Sequence, residues 1–121
     1  MQAPAQPPSP PEPAVNGSFN DARALRKSLS QFATGVTVIT TRTPEGTLVG
    51  LTANSFSALS LEPPLIVWSL RLSSASLAIF QNVPRFVVNV LTDAQVETSR
   101  HFASSAPKKF ESVAHAENQH G

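Results

Sequence analysis

The chain has 121 residues, of which 40% are hydrophobic and 14% charged, with a formal net charge of +1 and no cysteine. That length supports one small domain, and a near-neutral balance without a basic cluster argues against a nucleic-acid footprint or a polybasic membrane patch. Without cysteine there is no disulfide framework, thiolate metal site or thiol nucleophile, and no run approaches the roughly 18 apolar residues of a spanning helix.

Residues 1–18 contain Pro4, Pro7, Pro8, Pro10, Pro11 and Pro13 among small polar residues. Proline removes backbone donors and fixes φ, so this stretch is predicted to be a disordered Pro-rich tail; as a spacer it outranks an SH3-type ligand. It lacks the basic and apolar regions of a signal peptide, so a cytoplasmic location is expected. The predicted domain spans 19–113 and a polar tail 114–121. Asn20 is a plausible N-cap for an amphipathic helix of about three turns through Ala22, Leu25, Leu29 and Phe32, with Gly35 as its stop. The β-branched run Val36–Thr41, the turn Thr43-Pro44-Glu45-Gly46 and the run Thr47–Thr52 read as a β-hairpin.

Pro63-Pro64 precedes a strand over Leu65–Leu70, and Ser73 or Ser74 is placed to cap a short helix through Leu77, Ile79 and Phe80. Arg85–Leu91 forms a fourth strand, and Thr92, three residues ahead of Gln95, has the capping-box spacing that opens a helix to about Phe102. The fold class is therefore mainly β, with short helices filling gaps. Four strands close a barrel poorly, so the chain reads as incomplete, its open edges covered by a partner or by missing C-terminal sequence. Val36, Val38, Ile39, Leu65, Val67, Phe86, Val88 and Val90 are assigned to the core, with Phe32 and Phe80 as helix-face anchors.

No Gly-x-Ser-x-Gly elbow occurs, and His101, His115 and His120 all lie late in the chain, which disfavours a serine hydrolase. His115, Glu117 and His120 read as a solvated tail rather than a metal site. Two clusters of small polar residues carry more information. Thr52-Ala53-Asn54-Ser55 follows a strand, and Ser73-Ser74-Ala75-Ser76 is expected at a helix start, where free N–H groups and hydroxyls suit an anion such as a phosphate, with Arg71 nearby. On spacing alone caps and self-satisfied loops are the favoured explanation of both. Trp68 is favoured as a core or interface residue over a ring-stacking one, and Lys108 with Lys109 as a solvated pair.

The segments Gln31–Thr41, Val49–Phe56 and Leu59–Leu65, then Ser73–Leu77, Arg85–Leu91, Arg100–Ala103 and Lys108–Phe110, resemble in one consistent order the flavin reductase-like family with the FMN-binding split-barrel fold. This resemblance implies an NAD(P)H-dependent flavin oxidoreductase, a homodimer binding FMN or FAD and supplying reduced flavin to a flavin-dependent monooxygenase component. It implies cofactor contacts from Val49, Gly50, Leu51, Thr52, Ala53, Asn54 and Ser55 along the ring and ribityl chain. Ser73, Ser74, Ala75 and Ser76 are implied near the phosphate, and His101 and Phe102 beside the flavin. No catalytic side chain and no metal are implied, because hydride transfer between stacked rings is the cofactor's own chemistry. Three departures stand out: His101 where arginine is common, Ala75 within the phosphate segment, and the absence of the family's later strands with their Gly-Asp-His nicotinamide segment. The alternative is a truncated flavin-binding module without turnover.

Overall fold

The computed structural model describes residues 2–5 and 21–119. Most of the expected Pro-rich tail, together with Phe19 and the expected cap Asn20, lies outside the described residues. Two units are distinguished, residues 1–33 and 34–121. The first holds helix α1, Ala22–Leu29, which is capped by Asp21: its carboxylate accepts from the N–H groups of Arg23 at 2.9 Å and Ala24 at 3.2 Å. Arg26 and Lys27 occupy the last turn, where cations favour the helix dipole. The helix ends earlier than its apolar spacing predicts. Ser30 donates its hydroxyl to the Lys27 carbonyl at 2.7 Å, and the N–H groups of Gln31 and Phe32 tighten to residues three back, Ser28 and Leu29. No residue of α1 is buried, and Phe32, expected as a core anchor, is 77% exposed.

The second unit is built on strand β1, Thr37–Arg42. Strand β2, Leu48–Ala53, pairs with it antiparallel in the register Thr37↔Ala53 to Arg42↔Leu48, closing the expected hairpin. Gly46 has φ +91°, a left-handed position in the turn that glycine adopts without penalty. Strand β5, Val87–Val90, pairs antiparallel with the other edge of β1, giving the order β2-β1-β5. Every residue of β1 except Arg42 is buried, which explains its unbroken β-branched run. Its threonines are satisfied: Thr37 donates to the Ala53 carbonyl and Thr41 to that of Arg85, both at 2.7 Å, and the Thr40 hydroxyl accepts from the Asn89 amide at 3.2 Å.

A separate hairpin consists of β3, Ser57–Leu61, and β4, Pro64–Val67. The sequence reading treats the Leu59–Glu62 stretch only as a lead-in to the prolines, so β3 is a fifth strand beyond the four expected. β4 ends at Val67 instead of Leu70 because the Ser69 N–H leaves the ladder and donates to the Ser55 hydroxyl at 2.8 Å. Pro64 sits at the first residue of its strand, where a missing N–H is tolerated. Helix α2, Leu77–Asn82, follows. The Thr92–Gln95 capping box is formed, the Gln95 side-chain oxygen accepting from the Thr92 N–H at 2.9 Å. It opens a 3-10 turn, Asp93–Gln95, that continues as helix α3, Val96–Ala103, and a second 3-10 turn spans Lys109–Ser112.

The buried apolar side chains are Val38, Ile39, Ala53 and Phe102. The core is thus narrower than the sequence reading expects. Val36 and Val88 are half-buried, while Leu65, Val67, Phe86 and Val90 are exposed, since β5 and the β3–β4 hairpin each present an uncovered face. Trp68 packs edge-on against Phe80 and Phe86, with centroids 5.3 and 5.6 Å away, in a satellite aromatic cluster. The architecture is mainly β with short helices, and its two sheets do not close into a barrel among the described residues. No helix is long and apolar enough to cross a membrane among those residues.

Candidate cofactor cleft

Strand β2 carries the first of the two polar clusters to its C-terminal end. Thr52 donates its hydroxyl to the Ser99 carbonyl of α3 at 2.6 Å, fastening β2 to that helix. Gly50 lies directly beneath Phe102: a Cβ at this position would stand 2.7 Å from Cε1 of that ring and 3.1 Å from Cζ of Phe110. Only glycine allows the aromatic pair, whose centroids are 5.1 Å apart, to pack this close to the strand.

Ser55 bridges backward. Its hydroxyl accepts from the Ser69 N–H, tying the end of β2 to the segment after β4. That segment leads into Ser73–Ser76, and the two clusters line one open cleft of about 990 Å³. Val49–Ser55, Ser73–Ser76 and Phe102 all border it; His101 does not. His101 faces a second cleft of about 690 Å³, bounded by Val38, Thr40, Asn89 and residues 112–117.

Local geometry corrects the helix-start argument for the serines. Helix α2 begins at Leu77, after two successive turns, and Ser76 makes no side-chain cap. Ser74 accepts through its hydroxyl from the Ser76 N–H at 3.3 Å, and the N–H groups of Ser74 and Leu77 go to the Arg71 and Ser74 carbonyls. With six residues, α2 is also too short to project a macrodipole. The Thr52 and Ser55 hydroxyls are likewise engaged in holding the fold. Asn54 is exposed, and its side chain makes no hydrogen bond among the described residues.

The remaining wall was not anticipated from sequence. Residues 103–106 and 108–110, which return from α3, line the cleft opposite β2. Lys109 is half-buried rather than solvated: its ammonium donates to the Phe102 carbonyl at 2.8 Å, and desolvation holds its pKa below the ordinary lysine value. Lys108 is exposed and pairs with Glu111 at 3.1 Å. The adjacent Lys108-Lys109 pair, just past a helix that packs on β2, was the available sequence signal. Arg71, Lys108 and Lys109 give the cleft lining three cationic side chains, and no Asp or Glu belongs to it. Uncharged amide and hydroxyl groups beside cations form a donor set that fits a polar heterocycle bearing phosphate.

In the expected polar tail, His115 and Glu117 both have partners, while His120 lies outside the described residues. Glu117 forms an ion pair with Arg42, and His115 stands edge-on to Phe110 with centroids 5.3 Å apart. Among the described residues, no group of three or more His, Cys, Asp or Glu side chains could hold a metal.

Comparison with known proteins accords with this geometry. The chain is 42% identical over 108 residues to the flavin-dependent monooxygenase reductase subunit HsaB of Rhodococcus jostii, covering 89% of this chain and 55% of that one. It is 43% identical over 88 residues to the FMN reductase (NADH) SmoA of Agrobacterium fabrum, covering 73% of this chain and 49% of that one. The solved structure of the NADH:FAD oxidoreductase SgcE6 of Streptomyces globisporus, in complex with NAD and FAD fragments, superposes with a TM-score of 0.73 at 35% identity, over 78% of this chain and 56% of that one. The chain therefore spans about half the length of these relatives. A flavin reductase like domain matches residues 29–121. With that match over most of its length, and with the fold it shares with SgcE6, the chain belongs to the flavin reductase-like family.

Proposed function

We propose that this chain is the flavin-binding part of an NAD(P)H:flavin oxidoreductase that takes FMN or FAD into the β2 cleft and supplies reduced flavin to a separate monooxygenase component. The observation that carries this reading is the cleft itself: both polar clusters line it together with Arg71, Lys108 and Lys109, and among the described residues no Asp or Glu lines it. The names of HsaB, SmoA and SgcE6 support the same chemistry, with NADH as reductant for two of them.

Accepting a hydride from a dihydronicotinamide is the chemistry that flavin supplies when bound. The chain's own residues bind and orient. The β2 backbone and the Asn54 amide hold the polar ring edge, and the Ser73, Ser74 and Ser76 hydroxyls with Arg71 and Lys108 take the phosphoryl end. Phe102 and Gly50 form a rigid floor that excludes water from one side. No acid–base side chain is assigned.

The flavin-binding domain comprises 19–113, and the working form is a cytoplasmic homodimer. Exposed Leu59, Leu61 and Val90, at 64%, 90% and 70%, support the dimer, since two open sheets leave an apolar surface that a second copy covers.

Titration with FMN and FAD, followed by flavin fluorescence and then by NADH and NADPH oxidation, tests the reading. Micromolar binding is expected, and Asn54→Ala weakens it about tenfold with unchanged far-UV dichroism, the loss of one or two hydrogen bonds. No binding of either flavin by the folded protein overturns the reading; binding without oxidation of either nicotinamide restricts the chain to a flavin-binding module.

A further inference from the structure

We propose that His101 and Lys109 form a reciprocal clamp that holds the 103–108 loop against the β2 cleft, and that His101 is a positioning residue rather than a cofactor ligand. The second half of this statement rests on the flavin reading above.

Two hydrogen bonds cross between the same two chain segments in opposite directions. The Lys109 carbonyl lies 2.8 Å from His101 Nε2, and because a carbonyl only accepts, the imidazole donates from Nε2. Ser112 Oγ stands 3.0 Å from the same nitrogen. Lys109 in turn donates its ammonium to the Phe102 carbonyl at 2.8 Å. Side chain meets backbone in both directions, so the last turn of α3 and the start of the second 3-10 turn are fastened at adjacent points. Burial of the Lys109 ammonium, seen in its lowered pKa, makes that bond costly to lose.

The segment so closed is the far wall of the cleft, whereas the imidazole lies on the other side of Phe102, in the second cleft. His101 therefore reaches the cofactor cleft only through the backbone it holds. Backbone strain at the junction points the same way. Lys108 has φ 53°, and it is the one non-glycine residue with positive φ among the described residues. A left-handed lysine persists only where its neighbours over-determine it. Here the next residue is pinned through both its carbonyl and its ammonium, and the pinned lysine presents its neighbour's charge at the cleft rim.

The test compares His101→Ala, His101→Gln, Lys109→Met and the double variant His101→Ala/Lys109→Met. Amide exchange of the cofactor-free protein is read over 103–110, with β1 as internal reference. We expect each of His101→Ala and Lys109→Met to speed exchange over 103–110 about tenfold, the loss of one hydrogen bond to a charged or part-buried group, with β1 unchanged. The double variant behaves like the worse single variant because one clamp is cut only once. His101→Gln, whose amide also donates from Nε2, restores exchange to within about threefold of wild type. FMN affinity follows the same order. Unchanged exchange in the single variants overturns the clamp, and equal acceleration in β1 overturns it by making both residues general packing elements. Unchanged FMN affinity despite faster exchange overturns the positioning role. If the wild type binds neither FMN nor FAD yet the exchange pattern appears, the flavin reading fails and the clamp is supported.

Discussion

Gly50 shows how much one missing carbon decides. An alanine Cβ there meets a ring edge at 2.7 Å, and that ring belongs to Phe102, which is 4% exposed and must shift to admit it. Gly50→Ala is therefore expected to destabilise the fold by about 1–3 kcal/mol, the usual cost of overpacking; urea unfolding followed by Trp68 fluorescence measures it, and an unchanged midpoint refutes it. The same scale separates residues of like chemistry. Thr52 and Ser55 spend their hydroxyls on Ser99 and Ser69, while the exposed Asn54 between them makes no side-chain hydrogen bond among the described residues. Nothing in the order Thr-Ala-Asn-Ser distinguishes these roles, because the partners lie 47 and 14 residues away.

At the scale of elements, local chemistry was the most legible part. The β1–β2 hairpin, its Gly46 turn and the Thr92–Gln95 capping box all form where residue type and spacing place them. Each depends on bonds spanning a few residues, or on a β-branched run joined by a tight turn to the strand that follows it. Thr92→Ala should cost about 1 kcal/mol by removing the hydroxyl half of the capping box, which leaves the Gln95 N–H with the Thr92 carbonyl alone, a loss to be read in the urea midpoint; a shift below a few tenths would show that the Gln95 half of the box suffices. The misreadings share a cause as well. α1 stops at Leu29 and β4 at Val67 because serine hydroxyls intercept the backbone. Strand β3 is not legible from sequence because Ser57–Leu61 is short, weakly patterned and defined by its pairing with β4.

Considered whole, the molecule buries little apolar surface relative to what it leaves exposed. Val38, Ile39, Ala53 and Phe102 form the core, whereas Leu59, Leu61, Leu72 and Val90 are each at least 64% exposed. A chain of this kind gains stability by association. The proposed homodimer predicts sedimentation at twice the chain mass and a Tm that climbs with concentration, a hundredfold increase contributing about 2.7 kcal/mol. A monomeric mass with a concentration-independent Tm would contradict it.

The amino-acid sequence by itself determined the mainly β class, the central hairpin, the capped helix and, through the ordered resemblance of its segments, membership of the flavin reductase-like family. These follow from local propensity, short-range hydrogen bonding and motif order, all of which are properties of the linear chain. Only the tertiary structure decided that Ser73–Ser76 lines one cleft with β2, that Lys109 is half-buried on the Phe102 carbonyl, and that His101 lines only the second cleft while its neighbour Phe102 borders both. Those outcomes depend on how α3 lies across β2 and on where the chain folds back after residue 103. Contacts between distant segments set both, and no spacing along the sequence encodes them.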